Sequence, residues 1–182
     1  MSFVGGVGYS NIDLIYSGLE RLPEKGEEIF ARGFSMQFGG GIPATMINLS
    51  RLGVESRILT FAGDDLFSEF VKKTLEKYPV KTVNLYRGDK MPVVLSSTLL
   101  YGGDRSFISY TDGMDLNDAV MDEVYENLKG VSVVDMHVGF LDVYKRLKKD
   151  GCIQIFDTGW EDDLTLEKYR DYLETADYYI PN

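Results

Sequence analysis

Cysteine and histidine are almost missing from this 182-residue sequence, which holds one of each. With Cys152 alone no disulfide can form within the chain, and with His137 alone neither a cysteine-based nor a two-histidine zinc site can be built. We therefore expect no metal site of this kind and a reducing, cytoplasmic compartment. We expect His137, which lies in an apolar stretch, to be a buried core residue rather than a ligand or a base.

Long apolar runs and clusters of positive charge are also missing. No stretch approaches the roughly 20 apolar residues that a membrane helix requires, and the first residues lack the basic region of a signal peptide. Acidic residues outnumber basic ones by 29 to 19, which gives a formal net charge of -10. We therefore expect neither a membrane nor a nucleic acid as a partner.

The sequence does contain a regular alternation of strand-like and helix-like segments. Strands are predicted at residues 3–7, 56–61, 81–85, 131–136, 152–157 and 178–180, and helices at 43–52, 66–78, 116–128, 141–149 and 166–174. Asp64 is the predicted N-cap of the second helix. This order predicts an α/β fold: a Rossmann-like, mostly parallel sheet with helices on both faces.

Two stretches, at about residues 14–38 and 92–110, interrupt this alternation. In the first, residues 27–38 alternate with period two, which predicts a strand with Ile29, Ala31, Phe34, Met36 and Phe38 facing inward. The second predicts a hairpin of residues 92–101 and 106–110 joined by a turn at 102–105. We expect the two stretches to pair as a small β-sheet lid over a ligand cleft, and to favour a homodimer through the exposed lid.

The glycines Gly39, Gly40 and Gly41 stand directly before a predicted helix, in the segment GGGIPATMINLSRLG. Such a run leaves backbone N–H groups at a helix start open to a ligand, although it also forms ordinary tight turns. Upstream, GYSNID places Asn11 and Asp13 after the first strand, where α/β proteins expose polar groups to a cleft. A carboxylate there can accept hydrogen bonds from two sugar hydroxyls, and either residue alone would equally suit an Asx turn.

In order, GYSNID, EEIFARGFSMQFGG, INLSRLG and Gly63-Asp64-Asp65 resemble the N-terminal pattern of the ribokinase-like (PfkB) sugar kinases, with the likeness running over residues 4–182. The resemblance implies a ribokinase-like fold and transfer of the ATP γ-phosphate to a hydroxyl of a sugar or polyol, with Mg²⁺ and an aspartate base. It implies that the sugar is bound by Asn11, Asp13, Gly39, Gly40 and Gly41. It places Asn182, at the start of a P-N-x-x-E motif, on the nucleotide side.

The sequence departs from the family pattern in two places. Ala44 occupies a position where the family usually has an asparagine that binds a sugar hydroxyl, so the substrate could differ from ribose. The family's D-T-x-G-A-G-D stretch, which holds the catalytic aspartate, has no counterpart here, because DTGWEDD at residues 157–163 lacks the G-A-G. We therefore assign no catalytic residue, Asp157 included, to this chain.

We accordingly expect residues 1–182 to be the N-terminal part of one domain whose ATP-binding, catalytic part is absent. Such a chain should bind sugar weakly, hold no cofactor by itself and phosphorylate nothing, because phosphoryl transfer depends on charge neutralisation by the missing groups.

Two alternatives stay open. The segment GGVGYS after the first strand could belong to a nicotinamide-dependent oxidoreductase, although Asn11 stands where G-x-G-x-x-G has its third glycine. The chain could also be a non-catalytic sugar-binding or dimerisation module.

Overall fold

The computed structural model describes residues 2–159, 161 and 163–181. The strands and helices run β1 (Val4–Val7), β2 (Asn11–Ser17), β3 (Gly33–Gly39), α1 (Gly41–Arg51), β4 (Ser56–Thr60), α2 (Leu66–Leu75), β5 (Lys81–Asn84), β6 (Val94–Tyr101), β7 (Asp104–Tyr110), α3 (Asp118–Leu128), β8 (Val133–Met136), α4 (Leu141–Lys149), β9 (Ile153–Phe156), α5 (Leu166–Thr175) and β10 (Tyr178–Tyr179). No helix in these residues is long and apolar enough to cross a membrane.

The main sheet has six parallel strands in the order β10-β9-β8-β1-β4-β5. Each face of the sheet carries its own apolar core, because successive side chains of a strand point to opposite faces. In β4, Ile58 packs into the core beneath α1 and α2, while Leu59 packs into the core beneath α3, α4 and α5. The predicted α/β sheet with helices on both faces is therefore confirmed.

Glycines in and after β1 allow α1 to start close against the main sheet. A Cβ atom on Gly6 would lie 2.6 Å from Cγ2 of Ile42, and one on Gly8 would lie 2.8 Å from Cγ1 of the same residue. Both separations are too short for a real Cβ contact. The amino end of α1 can thus approach the carboxyl end of β1, where parallel sheets place their ligands.

A second sheet of four strands has the order β3-β2-β6-β7, so the two interrupting stretches do pair with each other as predicted. β2 runs antiparallel to β3 and parallel to β6, and β6 runs antiparallel to β7. The bounds of its strands differ from the predicted ones, since β2 already starts at Asn11 and β3 runs from Gly33 to Gly39. Residues 18–32 form an irregular connection, so the predicted strand over residues 27–32 is wrong.

The prediction that Phe34 and Met36 face inward is also wrong, because they are 61% and 40% exposed. Only the Phe38 end of this strand face packs on the core beneath α1. Phe34 packs against the ring of Tyr16 on β2, with the ring centroids 5.3 Å apart, and most of its side chain still stays exposed. Ile29 and Ala31 are half-buried in the irregular connection.

Two local predictions are corrected at turns and caps. The N-cap of α2 is Asp65 rather than Asp64, since the Asp65 carboxylate accepts hydrogen bonds from the backbone N–H groups of Phe67 and Ser68 at 2.9 and 3.0 Å. The β6–β7 turn has two residues rather than four, because Gly102 and Gly103 both adopt positive φ, at 60° and 81°. Two such residues form the tight connection that matches strand twist.

Candidate functional site

Asn11, Asp13 and the glycine run meet at the junction between the two sheets. The β2–β3 register sets Asn11 opposite Gly39. The side-chain amide of Asn11 donates a 2.8 Å hydrogen bond from Nδ2 to Oδ1 of Asp13. A Cβ atom on Gly39 would lie 2.9 Å from Oδ2 of Asp13. The missing side chain at Gly39 therefore leaves the space in which this carboxylate stands.

Position 40 requires a glycine because of its backbone conformation and its close contacts. Its φ of 102° is rarely adopted by residues with a side chain, and an added Cβ would lie 2.5 Å from the carbonyl oxygen of Tyr9. Gly40 is also the N-cap of α1 and provides no side-chain cap, so the first N–H groups of the helix stay open to a ligand. Gly41, the first helical residue, has no atom within 4 Å of the position of its missing Cβ.

The polar side chains continue across the second sheet from Asn11. Oγ of Ser96 lies 3.4 Å from Oδ1 of Asn11 and 2.8 Å from Oγ of Ser109. We call Asp13, Asn11, Ser96 and Ser109 the polar row. The sequence did not predict Ser96 and Ser109, because they join the row only through strand register. Ser96 joins through the parallel β2–β6 pairing and Ser109 through the antiparallel β6–β7 pairing.

Asn11 and Asp13 follow β1, as the sequence predicted, and they lie within β2. This strand position fixes the Asp13 carboxylate by backbone pairing on both sides. Burial raises the pKa of Asp13, and the hydrogen bond from Asn11 opposes that rise. A half-buried carboxylate with one oxygen already bonded suits hydroxyl donors, which satisfy its remaining lone pairs.

A cleft of about 410 Å³ opens beside the start of α1, at the carboxyl ends of β8 and β9. Its polar lining includes Thr45 of α1, Asp135 and His137 around the end of β8, and Asp157 after β9. Gly41 lines the same cleft, so the glycine run joins the cleft to the polar row. The sequence analysis missed Thr45 and Asp135, for which an aspartate near the end of a predicted strand was the available signal.

Asp135 is held in an unfavourable setting for its charge. Burial and the charge of Asp157 raise the pKa of Asp135 to about 6, and a hydrogen bond from Thr45 opposes the rise. The Thr45 hydroxyl also lies 3.1 Å from the carbonyl oxygen of Gly41, so two acceptors compete for one proton. A donor from a ligand would therefore be well placed to satisfy this carboxyl group.

His137 was predicted to be a core residue, but it is half-buried and lines the cleft. Its backbone N–H donates to the hydroxyl of Tyr144 at 2.8 Å, and its Nδ1 lies 2.8 Å from the carbonyl oxygen of Val138. An Nδ1–H donor to that carbonyl leaves Nε2 as an acceptor in the neutral ring. Burial lowers the pKa of His137, which favours this neutral form.

α5 and the segment before it supply a further wall of the cleft. Nζ of Lys168 bonds to Oε2 of Glu161 at 2.7 Å, and the Tyr169 hydroxyl lies 3.3 Å from the same oxygen. On α1, Ala44 does not line this cleft, and it faces a separate groove together with Asn48. Thr45, one residue later, takes the cleft-facing position.

No preformed cluster of metal-binding side chains is found among the described residues. They contain no group of three or more His, Cys, Asp or Glu side chains that could hold one. Asn182, the residue assigned to the nucleotide side, lies outside the described residues. The oxidoreductase alternative also loses its basis, because β1 leads into β2 and not into the helix that a dinucleotide fingerprint opens.

A six-stranded parallel sheet with a small second sheet at its ligand-binding end is the architecture of the ribokinase fold. The chain superimposes over its full length on a ribokinase of Giardia lamblia, with a TM-score of 0.82, 16% identity and 58% of that protein covered. It also covers 61% of an Arabidopsis thaliana ribokinase solved with ribose and ATP, at a TM-score of 0.75 and 22% identity.

The sequence profile of the pfkB family carbohydrate kinases matches residues 1–182, and the chain belongs to this family. A Pyrococcus horikoshii protein described as a sugar kinase is 31% identical over 127 residues, which are 68% of this chain and 39% of that protein. The chain thus spans less than two thirds of the length of these relatives. The family match confirms the resemblance of the sequence motifs to the PfkB sugar kinases.

Proposed function

We propose that residues 1–182 form the acceptor-binding part of a kinase that phosphorylates a hydroxyl of a sugar or polyol. One observation carries this proposal: Asn11 and Asp13 lie beside Gly39 and Gly40. The glycines leave space around the Asp13 carboxylate, next to the open N–H groups at the start of α1. Hydroxyls need both acceptors and donors, and this arrangement offers both. Membership of the pfkB family supports the reaction type.

In this proposal the described residues bind and orient the acceptor. Asp13 accepts hydroxyl hydrogen bonds, the amides of Gly41 and Ile42 donate to a hydroxyl oxygen, and the polar row lines the β-sheet side of the ligand. Transfer of the γ-phosphate from ATP, with Mg²⁺, is proposed from family membership alone. The described residues supply no step for it, and the inactivity of residues 1–182 by themselves stays a prediction.

Steady-state kinetics of the natural protein that carries this sequence test the proposal. With ATP and a panel of neutral sugars, at least one sugar should be phosphorylated, and Asp13→Ala should raise its KM at least tenfold. Asp64→Asn removes an exposed carboxylate at the start of α2 and should leave KM unchanged. An unchanged KM in Asp13→Ala contradicts the site, and tight sugar binding without turnover would favour the non-catalytic module instead.

We also propose that the second sheet is a lid and that its apolar face pairs with a second copy of the chain. Phe34, Met36, Ile108 and Tyr110 share one face of the sheet by register and are 61%, 40%, 69% and 58% exposed. Such a patch is costly to leave in water. Light scattering should show a dimer that Phe34→Glu dissociates, while Glu28→Gln in the irregular connection leaves it intact. A monomeric wild-type protein at micromolar concentration contradicts the proposal.

A further inference from the structure

The part of the cleft between β8 and β9 is lined by carboxylates without compensating charge. Asp135 and Asp157 stand at the carboxyl ends of adjacent strands, and neither makes an ion pair within the described part of the chain. Lys168 is the cation among the described lining residues, and its ammonium group is already paired with Glu161 at 2.7 Å. His137 adds no charge at neutral pH, because burial lowers its pKa.

Besides Lys168, the start of α1 is the feature of the described cleft lining that would attract an anion. An open helix amino end acts as roughly half a positive charge, which is less than the charge of either carboxylate once ionised. The balance at this end of the cleft is therefore negative. Inside a cleft with protein walls such a balance is screened less than it would be on an open surface.

We infer that the substrate presents an uncharged or amino-bearing end to Asp135 and Asp157, and that sugar acids are rejected there. The inference rests on the polyol-binding function proposed above and specifies its substrate class as neutral sugars and amino sugars. A hydroxyl or ammonium group donates hydrogen bonds to these carboxylates. A carboxylate in the same place has no proton to donate and repels both, so specificity arises from repulsion of the wrong ligand.

Calorimetric titration of the natural protein with matched ligands tests the inference. The probes are ribitol against ribonate and glucitol against gluconate, which are open chains that differ by one carboxylate in place of a CH₂OH group, and glucose against glucosamine. The neutral member of a bound set should bind at least tenfold more tightly than its acid, and glucosamine should bind within threefold of glucose or more tightly.

Variants then assign this selectivity to the cleft. Asp135→Asn should raise the affinity for the acid at least threefold. The ratio of the affinity for the neutral sugar to the affinity for the acid should therefore fall. Glu76→Gln removes an exposed carboxylate at the end of α2, outside the cleft, and should leave the ratio unchanged. This control separates the local field from the net charge of the protein.

Each other outcome counts against the inference. An acid that binds the wild-type protein as tightly as its neutral partner overturns the inference while leaving polyol binding in place. An unchanged ratio in folded Asp135→Asn protein overturns the role of these carboxylates. If no member of either set binds, the polyol site itself is wrong, and the substrate class falls with it.

Discussion

Gly39 lies so close to Asp13 that a methyl group on the glycine would meet Oδ2 of the carboxylate at 2.9 Å. Real Cβ atoms essentially never make such a contact, so the carboxylate would have to move. Because the atom that must move is at the end of a side chain, Gly39→Ala should perturb ligand binding more than folding.

We therefore predict that Gly39→Ala weakens binding of a neutral sugar about tenfold, which is ~1.4 kcal/mol, with little change in Tm. The double variant with Asp13→Ala should show no further loss, since the two changes act through one carboxylate. Calorimetric titration of the four proteins measures this coupling. Additive losses would show that Gly39 acts on binding independently of Asp13.

Gly40 and Gly41 should respond in opposite ways to the same substitution. Gly40→Ala places a Cβ 2.5 Å from a backbone oxygen at a φ of 102°, and should cost about 1–3 kcal/mol of unfolding free energy. Gly41→Ala occupies open space at the start of a helix, and should be neutral or stabilise by up to about 1 kcal/mol. Urea unfolding of both variants measures the two changes in unfolding free energy. Similar changes for the two variants would contradict the different roles of these glycines.

The Tyr144 hydroxyl supports the segment that carries His137. Tyr144 is fully buried, and its oxygen accepts the His137 backbone N–H at 2.8 Å. Tyr144→Phe should cost about 1–3 kcal/mol, because it leaves this N–H without an acceptor. Tyr172→Phe removes a similar bond to the exposed Gly139 and should cost less in urea unfolding, since water can replace the lost acceptor. Equal losses would argue against the burial of this contact.

Asp135 should make the stability of the protein depend on pH. Its pKa of about 6 lies above the ordinary value of 3.8, so the folded chain holds this proton more strongly than the unfolded chain does. The free energy of unfolding therefore falls as the pH rises from about 4 to 6. Above that range the total decrease from this group is about 2–3 kcal/mol.

Asp135→Asn should therefore be more stable than the wild type at pH 7 by this amount, and similar to it at pH 4. Urea unfolding at several pH values gives the difference between the two proteins, in which the contributions of other groups cancel. Asp157→Asn should move the midpoint of the dependence to lower pH, because the Asp157 charge raises the pKa of Asp135. A difference that does not vary with pH would contradict the assigned setting of Asp135.

The sequence predicted the main sheet well, because each of its strands and helices carries its own local signal. The helix Leu141–Lys149 has the predicted bounds, and the other helices differ at their ends by a few residues. For the second sheet, the sequence predicted that the two stretches pair, but it did not predict where the strands begin and end. Its strands pair with partners far along the chain. In β3 the apolar alternation of Phe34, Met36 and Phe38 predicted a buried face, but Phe34 and Met36 are exposed.

The candidate site divides in the same way. Asn11, Asp13 and the glycines lie within two short motifs, so their spacing alone suggested that they belong together. Asp135 and Thr45 come together only through the packing of α1 beside β8, and Ser96 joins through strand register. No local sequence pattern marks these three-dimensional contacts. The sequence therefore predicted Asn11, Asp13 and the glycines but not the residues that join them through packing and strand register.

NMR titration of the ¹⁵N-labelled protein locates the binding site of a neutral sugar residue by residue. During titration with a sugar that is phosphorylated, the largest amide shifts should fall on Asn11 and on Gly39, Gly40 and Gly41. Largest shifts in the groove between α2 and β5, around Thr82 and Lys72, with the glycine amides unmoved, would contradict the proposed site.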